Sequence, residues 1–382
     1  MERRGVSEKE VLRDLEERSS LDFRYSDGKI LSSMCTVPHS FAKKVFELFM
    51  DTNLGDPGLF KGTKRIEEDA IAMLGGLLGN PAAKGYILSG GTEANITALW
   101  IARNMRHEEN GEVIVSGAGH FSLQKATDLL GLKLVEASVR EDSTVDVDDV
   151  NEKVGGATIA IVGIAGNTEY GAVDDIRGLG EIASDRDLYL HVDAAFGGFV
   201  LPFLEELGYP TKDFDFTVEA VDSITVDPHK MGLAPIPSGG LLVRDPSSLG
   251  YIETLSPYLL EKKQHTLMGT RSGASAAATY AVMRLLGKEG YRRNVDHCMR
   301  ITMSMYDSIG KLGFRVHEPA MNVLVFGHDR QDEIAEGLLE RGWLISRTRR
   351  GEIRLVVMPH VKKGHARACV RDLEEVLKAL GT

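Results

Sequence analysis

Cysteine is scarce in this chain. Cys35, Cys298 and Cys369 are the only three, and they lie far apart. None are spaced as a metal knuckle or a redox pair, and three cannot build a disulfide framework. An excess of positive charge is missing as well: 45 Lys and Arg stand against 56 Asp and Glu, a net charge of −11. That balance argues against nonspecific nucleic-acid binding and gives no electrostatic reason to dock on anionic lipid. Long apolar runs are absent too. The most apolar windows are interrupted by Glu93, Asp193 or Glu205, so no membrane-spanning helix is expected. The charged start, Met1-Glu2-Arg3-Arg4, leads into no apolar signal-peptide core, and a cytoplasmic protein is the expectation. No internal repeat or low-complexity tract occurs. With 43% apolar and 26% charged residues among 382, the chain has an ordinary globular composition and room for two or three domains.

What is present is a strand–helix alternation. Residues 7–20 open like a capped helix with a narrow apolar stripe (Val11, Leu12, Leu15), which predicts an arm or a lightly packed helix. A second helix is expected over 41–49. Asn53-Leu54-Gly55-Asp56-Pro57-Gly58 reads as a shaped loop, and helical spacing returns over 64–78. Strands are predicted at 86–88, 112–116, 133–137, 158–162, 188–192, 223–226 and 240–243. Helices are predicted at 93–105, 121–130, 147–153 and 176–185. Such alternation indicates a largely parallel, helix-covered sheet. After a long helical region at 274–312 the pattern becomes α+β, with strands near 314–317, 322–326, 344–346 and 353–357 and helices over 332–341 and 362–380. The division this suggests is an N-terminal arm (1–52), a large domain (53–275), and linking helices with a small C-terminal domain (276–382).

Three segments carry chemistry. Ser89-Gly90-Gly91-Thr92-Glu93-Ala94-Asn95 lies between a strand and a helix. Its glycines let backbone N–H groups approach an anion, and the helix N-terminus favours phosphate. A plain strand–helix turn with a threonine cap would look the same. The segment is neither a Walker loop nor a dinucleotide fingerprint. The second segment is His191-Val192-Asp193-Ala194-Ala195, where a carboxylate ends a nearly apolar strand. A buried carboxylate is costly unless paired. His191 and Asp193 point to the same side, so a metal pair or a capping Asp are the alternatives. The third is Thr225-Val226-Asp227-Pro228-His229-Lys230, a lysine directly after an apolar strand. Desolvation can free such an amine as a nucleophile, although a lysine after a strand is usually only solvated. An anion cradle, a carboxylate and a nucleophilic lysine are together what pyridoxal phosphate requires: an anchor, a partner for the pyridinium nitrogen and a Schiff-base amine.

Asp-Pro-His-Lys-Met at 227–231 and His-Val-Asp-Ala-Ala at 191–195 resemble the group II pyridoxal-phosphate-dependent amino-acid decarboxylases, and the archaeal L-tyrosine/L-aspartate decarboxylases most. Residues 53–63, Ile236-Pro237-Ser238-Gly239-Gly240 and Val356-Val357-Met358-Pro359-His360 are similar to the same group, so the resemblance spans nearly the whole chain. It implies the type I (aspartate aminotransferase-like) α/β fold, with a seven-stranded, mostly parallel sheet plus a small α+β C-terminal domain, and a homodimer with the site at the subunit interface. It also implies pyridoxal 5′-phosphate as cofactor and a small-molecule L-amino acid as substrate. Tyrosine would give tyramine for methanofuran, and aspartate would give β-alanine for coenzyme A.

The resemblance also implies roles. Lys230 is the Schiff-base lysine, and Asp193 keeps the ring nitrogen protonated. His120 stacks on one ring face, with Ala195 against the other. Gly90, Gly91, Thr92 and His229 hold the phosphate, and Thr168 lies near the ring edge. Gly269 and Thr270, before Arg271, resemble a segment that reaches the cofactor phosphate of the partner subunit. Tyr258, in the stretch 258–265 expected to form an active-site loop, is the nearest tyrosine for protonating the substrate carbon; a packing role is the alternative. Arg354 lies on the apolar strand Ile353-Arg354-Leu355-Val356-Val357, and an isolated charge there needs an anion. The substrate carboxylate is that anion, or else Arg354 is a surface-strand arginine. Lys61, Arg271 and the arginines at 347–350 are candidates for an acidic substrate side chain. An aminotransferase, a carbon–carbon lyase or a noncatalytic cofactor-binding protein would share much of this set.

Overall fold

The computed structural model describes residues 4–106, 108 and 110–381; Met1, Glu2 and Arg3 of the charged start lie outside them. The first element is α1 (Glu8–Ser19), closed by a capping box in which Ser7 and Glu10 satisfy each other's backbone N–H groups. None of its residues are buried, as the narrow stripe predicts. Helices α2 (Ser40–Leu48) and α3 (Lys61–Leu77) follow, and then the alternation begins: β1 (Lys84–Leu88), α4 (Gly91–Arg106), β2 (Glu112–Ser116), α5 (Phe121–Leu130), β3 (Lys133–Ala137), α6 (Val147–Lys153), β4 (Thr158–Ile164), α7 (Ile176–Asp185), β5 (Tyr189–Asp193), β6 (Ser223–Val226) and β7 (Gly239–Val243).

These strands form one seven-stranded sheet in the order β1-β7-β6-β5-β4-β2-β3. β7 runs antiparallel to both neighbours, and the other strands run one way. Alternation along each strand splits the core in two. Val113, Val115, Leu241 and Val243 pack with α4 and α5 on one face. Ile114, Leu190, Val192, Ile224 and Leu242 join the larger core on the other. Because the strands on either side of β7 run the same way, the carboxyl ends of β1, β4, β5 and β6 meet along one sheet edge, where open α/β sheets bind ligands. The three chemical segments of the sequence are the continuations of β1, β5 and β6.

A hairpin of β8 (Thr254–Leu255) and β9 (Lys263–Gln264) and the 3-10 turns between 197 and 207 and over Pro246–Ile252 complete the large layer. Two-residue strands and single turns are too short to show a period, so the sequence pattern does not reveal them. The long α8 (Gly273–Lys311) is broken at Gly287, whose φ of 56° only glycine adopts without strain. A four-stranded antiparallel sheet follows, in the order β10 (Arg315–Val316), β11 (Val323–Gly327), β13 (Ile353–Val356) and β12 (Ser346–Arg347). Helices α9 (Gln331–Glu340) and α10 (Lys363–Leu380) accompany it.

The segment before α2 is stitched onto this second sheet. Leu31 N–H donates to the Leu344 carbonyl (2.8 Å) and Val356 N–H to the Leu31 carbonyl (2.7 Å). His360 bonds Thr36 Oγ1 (2.8 Å) and donates to the Ile30 carbonyl (2.9 Å), which fixes both ring nitrogens.

Candidate active site

A cavity of about 400 Å³ opens at the carboxyl edge of the large sheet. Gly90, Gly91, Thr92, His120, Thr168, Asp193, Ala195, His229 and Lys230 all line it. Met34 closes it from the stitched N-terminal segment.

The anion cradle is the turn from β1 into α4. A Cβ on Gly90 would touch the His229 ring (3.3 Å), and one on Gly91 would approach the Asp227 carboxylate (3.0 Å). Both positions are therefore crowded, and bare backbone faces the cavity at a helix N-terminus. His229 Nδ1 donates to the Ser238 carbonyl, which leaves its Nε2 edge free. Lys230 Nζ lies 3.0 Å from Asp227 Oδ2. Burial pulls the lysine's pKa down, but Asp227, helped by Asp193, outweighs it and holds the pKa above the ordinary value.

Asp193 is anchored from two sides. Its Oδ1 accepts from Ala195 N–H (3.1 Å) and its Oδ2 from Asn95 Nδ2 (2.8 Å). Asn95 is the hub of a buried chain of hydrogen bonds. Its Nδ2 also donates to Ser122 Oγ (2.9 Å), and its Oδ1 accepts from His191 Nε2 (3.0 Å). Ser122 Oγ in turn donates to His120 Nδ1 (2.9 Å), which also accepts the Ser122 N–H (3.3 Å). Ser223 Oγ donates to His191 Nδ1 (2.7 Å). This pattern makes both imidazoles neutral Nε2–H tautomers. Burial agrees: it pushes His191 down to about 4 and also lowers His120. One amide thus orients the carboxylate and, through Ser122, the histidine at the cavity wall. Both His191 nitrogens are occupied, so the metal alternative has no free ligand there.

Neither Asn95 nor Ser122 was singled out in the sequence. A signal existed: Asn95 sits in a stretch of α4 that is buried almost throughout, and an amide there needs partners.

The structure separates other candidates from the cavity. Tyr258 is 86% exposed on the turn between β8 and β9. Hairpin pairing and a Lys64–Glu261 ion pair (2.6 Å) tie that turn to α3, and Tyr258 does not line the cavity of its own chain. Thr270 lines a neighbouring cavity of about 430 Å³ that meets the first at Ser89, and Gly269 precedes it. Arg271 is no substrate ligand. It is buried against Glu67, with Nη2–Oε2 at 3.1 Å, and it also donates to the Ile87 and Leu54 carbonyls. Lys61 stands exposed on the first turn of α3. Arg349 binds Glu169 (3.1 Å) and the carbonyls of Gly117 and Gly119, so the turn after β12 clasps the loops that carry Thr168 and His120.

Arg354 is not among the residues lining the cavity; it is tied to the segment that is, through Ser32, two residues before Met34. Its Nη1 donates to the Ser32 carbonyl (3.0 Å) and to Ser346 Oγ (2.8 Å). Its Nε and Nη2 are buried and have no partner among the described residues. Burial pushes its pKa down to about 10, and Glu169 is the nearest compensating charge. A guanidinium held this way by Nη1 leaves its Nε–Nη2 edge an open fork, buried and without a partner among the described residues.

Residues 63–326 match the family model described as the pyridoxal-dependent decarboxylase conserved domain. The chain belongs to the pyridoxal-dependent decarboxylase family. Its cofactor is pyridoxal phosphate, and it is a carboxy-lyase. The chain is 48% identical to the L-aspartate decarboxylase of Thermococcus kodakarensis over 99% of both proteins. It is also 48% identical to a probable L-tyrosine/L-aspartate decarboxylase of Methanothermobacter thermautotrophicus, over 92% of this chain and 98% of the relative. Among solved structures, the sphingosine-1-phosphate lyase of Burkholderia pseudomallei superposes with a TM-score of 0.92 at 28% identity, covering 99% of this chain and 92% of that one. The decarboxylase cavity suits the cofactor chemically, because an anion cradle, a buried carboxylate and a primary amine converge on it. Among the described residues, no helix is long and apolar enough to cross a membrane.

Proposed function

We propose that this decarboxylase removes the α-carboxylate of L-aspartate to give β-alanine. The observation that carries the reading is the convergence of Lys230, Asp193 and the glycine cradle on one cavity, with Arg354 unpartnered on one edge and tied to Ser32, two residues from the cavity wall at Met34. Aspartate is the substrate common to the names of both relatives. When bound, pyridoxal phosphate supplies an electron sink for the pair left behind as carbon dioxide departs. The chain's residues do the rest. Lys230 provides the amine that bonds the cofactor. Gly90, Gly91, Thr92 and His229 hold its phosphate, and Thr168 stands near the ring edge. Asp193, pinned by Asn95 and Ala195, keeps a proton on the ring nitrogen. His120 and Ala195, both lining the cavity, would bracket the ring when the cofactor is bound, and Arg354 would grip the substrate carboxylate.

The functional unit is a homodimer in the cytoplasm. Met50, Leu255, Tyr258, Leu260 and Met268 are large apolar or aromatic side chains left more than half exposed, which supports a subunit interface over that face. Tyr258, Gly269 and Thr270 then serve the partner's site rather than their own.

The test is carbon dioxide release with the cofactor and a panel of L-amino acids, with the amine product identified. L-aspartate yielding β-alanine is the expected outcome, with borohydride fixing the cofactor on Lys230. Release from L-tyrosine alone would replace the substrate, and a keto-acid product would replace the reaction.

A further inference from the structure

The carboxylate of Asp227 pairs with Lys230 and caps no backbone group among the described residues. Asp227 is 2% exposed and lines the cavity. Its Oδ2 lies 3.0 Å from Lys230 Nζ and 3.8 Å from His229 Nε2. Its Oδ1 is buried without a hydrogen-bond partner among the described residues. Other turn aspartates of this chain cap a backbone N–H, as Asp146, Asp175 and Asp245 do. Among the described residues the Asp227 side chain accepts no such bond, so it is not placed to stabilise its own turn. What the turn does is bring position 227 to position 230: Lys230 N–H donates to the Asp227 carbonyl (3.0 Å), and the two side chains emerge together. A buried anion with one satisfied oxygen is retained at a cost unless a cation compensates it. Two features compensate here, the Lys230 ammonium and the N-terminus of α4, where a Cβ on Gly91 would stand 3.0 Å from Oδ2 and 3.4 Å from Oδ1. Gly91 is thus required by this carboxylate as well as by the cradle.

We propose that Asp227 is a positioning counter-ion for Lys230, which parks the amine as an ammonium whenever the lysine is not bonded to the cofactor. The inference rests on the reading that Lys230 carries the cofactor. An ammonium has no lone pair, so one proton must leave Nζ before the lysine can attack a carbonyl. While the proton stays, the displaced lysine does not compete with the substrate's own amine. The other groups facing Nζ are Asp193 across the cavity, the neutral His120, His229 and the half-buried Cys35. Asp227 alone among them makes an ion pair with it.

The experiment uses cofactor-free enzyme. Lys230 is acylated competitively with acetic anhydride from about pH 6 to about pH 12 and quantified by peptide mass spectrometry. In the wild type the labelling midpoint is expected at or above that of an ordinary lysine. A midpoint near neutrality would mean a free amine and would overturn the proposal without any variant. In Asp227→Asn the midpoint is expected to fall by about one pH unit or more, so that labelling near pH 7 rises on the order of tenfold. Loading of added cofactor, followed by absorbance, should accelerate over the same pH range. A general loss of structure would slow loading at every pH instead. An unchanged midpoint in Asp227→Asn overturns this proposal alone, whereas borohydride fixing the cofactor on another lysine overturns it together with the functional reading.

Discussion

Among the described residues two arginines are buried, and they are opposites. Arg271, 7% exposed, closes on Glu67 and two carbonyls and lies 4.9 Å over the Tyr86 ring. Arg354, 5% exposed, has no carboxylate in ion-pair range among the described residues, and only one of its nitrogens is bonded. Burial costs both of them hydration. The first recovers it inside the fold, and the second leaves part of it unrecovered among the described residues. A buried cation with an open fork is therefore a statement about binding, and a buried cation with a closed fork is a statement about folding.

Breaking the closed pair should have the largest effect. Arg271→Met strands the Glu67 carboxylate and should cost on the order of 3–5 kcal/mol in urea unfolding, while the double variant Arg271→Met/Glu67→Leu recovers most of it. If the single variant is as stable as the wild type, the pair is not what holds the 271 turn against α3. Removing the open fork should damage binding more than stability. Arg354→Ala should lose about 2–4 kcal/mol in kcat/KM for the amino acid while costing less stability than Arg271→Met, and Arg354→Lys should recover part of the loss. A large drop in melting temperature with normal kinetics would reverse the assignment and make Arg354 the structural residue.

The smallest effect is expected in the hydrogen-bond chain, which is closed like Arg271 but contains no fixed charge apart from Asp193. Asn95→Ala should cost about 1–3 kcal/mol of stability, because Asp193, Ser122 and His191 each lose a partner. His191 adds a pH dependence whose sign is set. Burial depresses its pKa from 6.5 in the open chain to about 4 in the fold. The unfolded chain therefore takes up the proton first as pH falls. Stability present above 6.5 is lost progressively towards about 4. His191→Gln should flatten that loss; equal slopes in wild type and variant between about pH 7 and about pH 5 would mean the imidazole is not held neutral.

In the sequence the two arginines were not told apart, and the reason is physical. Each interrupts an apolar or small-residue stretch. The partner that closes Arg271 lies 204 positions away, on α3. Periodicity reports which face a residue takes and not what meets it there. The cradle, Asp193 and Lys230 were legible because each lies at or shortly after the carboxyl end of a strand, and strands running one way bring such positions to one edge. The same reasoning explains the elements: alternation marked Glu112–Ser116 and Ile176–Asp185 end to end, while the β8–β9 hairpin, too short for a period, went unseen. Asn95 was hidden differently. It lay within a motif already read for its glycines, and its partners come from β5 and α5.

The bond from Arg354 to Ser32 spans 322 positions, and Met34, two residues on, is a wall of the cavity. A segment near the start of the chain and one of its last strands thus meet at the same site. During synthesis the ribosome must release nearly the whole protein before that wall can be fastened. A nascent chain that has already buried Lys230 and Asp193 in the large sheet still lacks the grip on its substrate. Shortening the protein at either end should produce the same defect, because the two ends are one part of the machine.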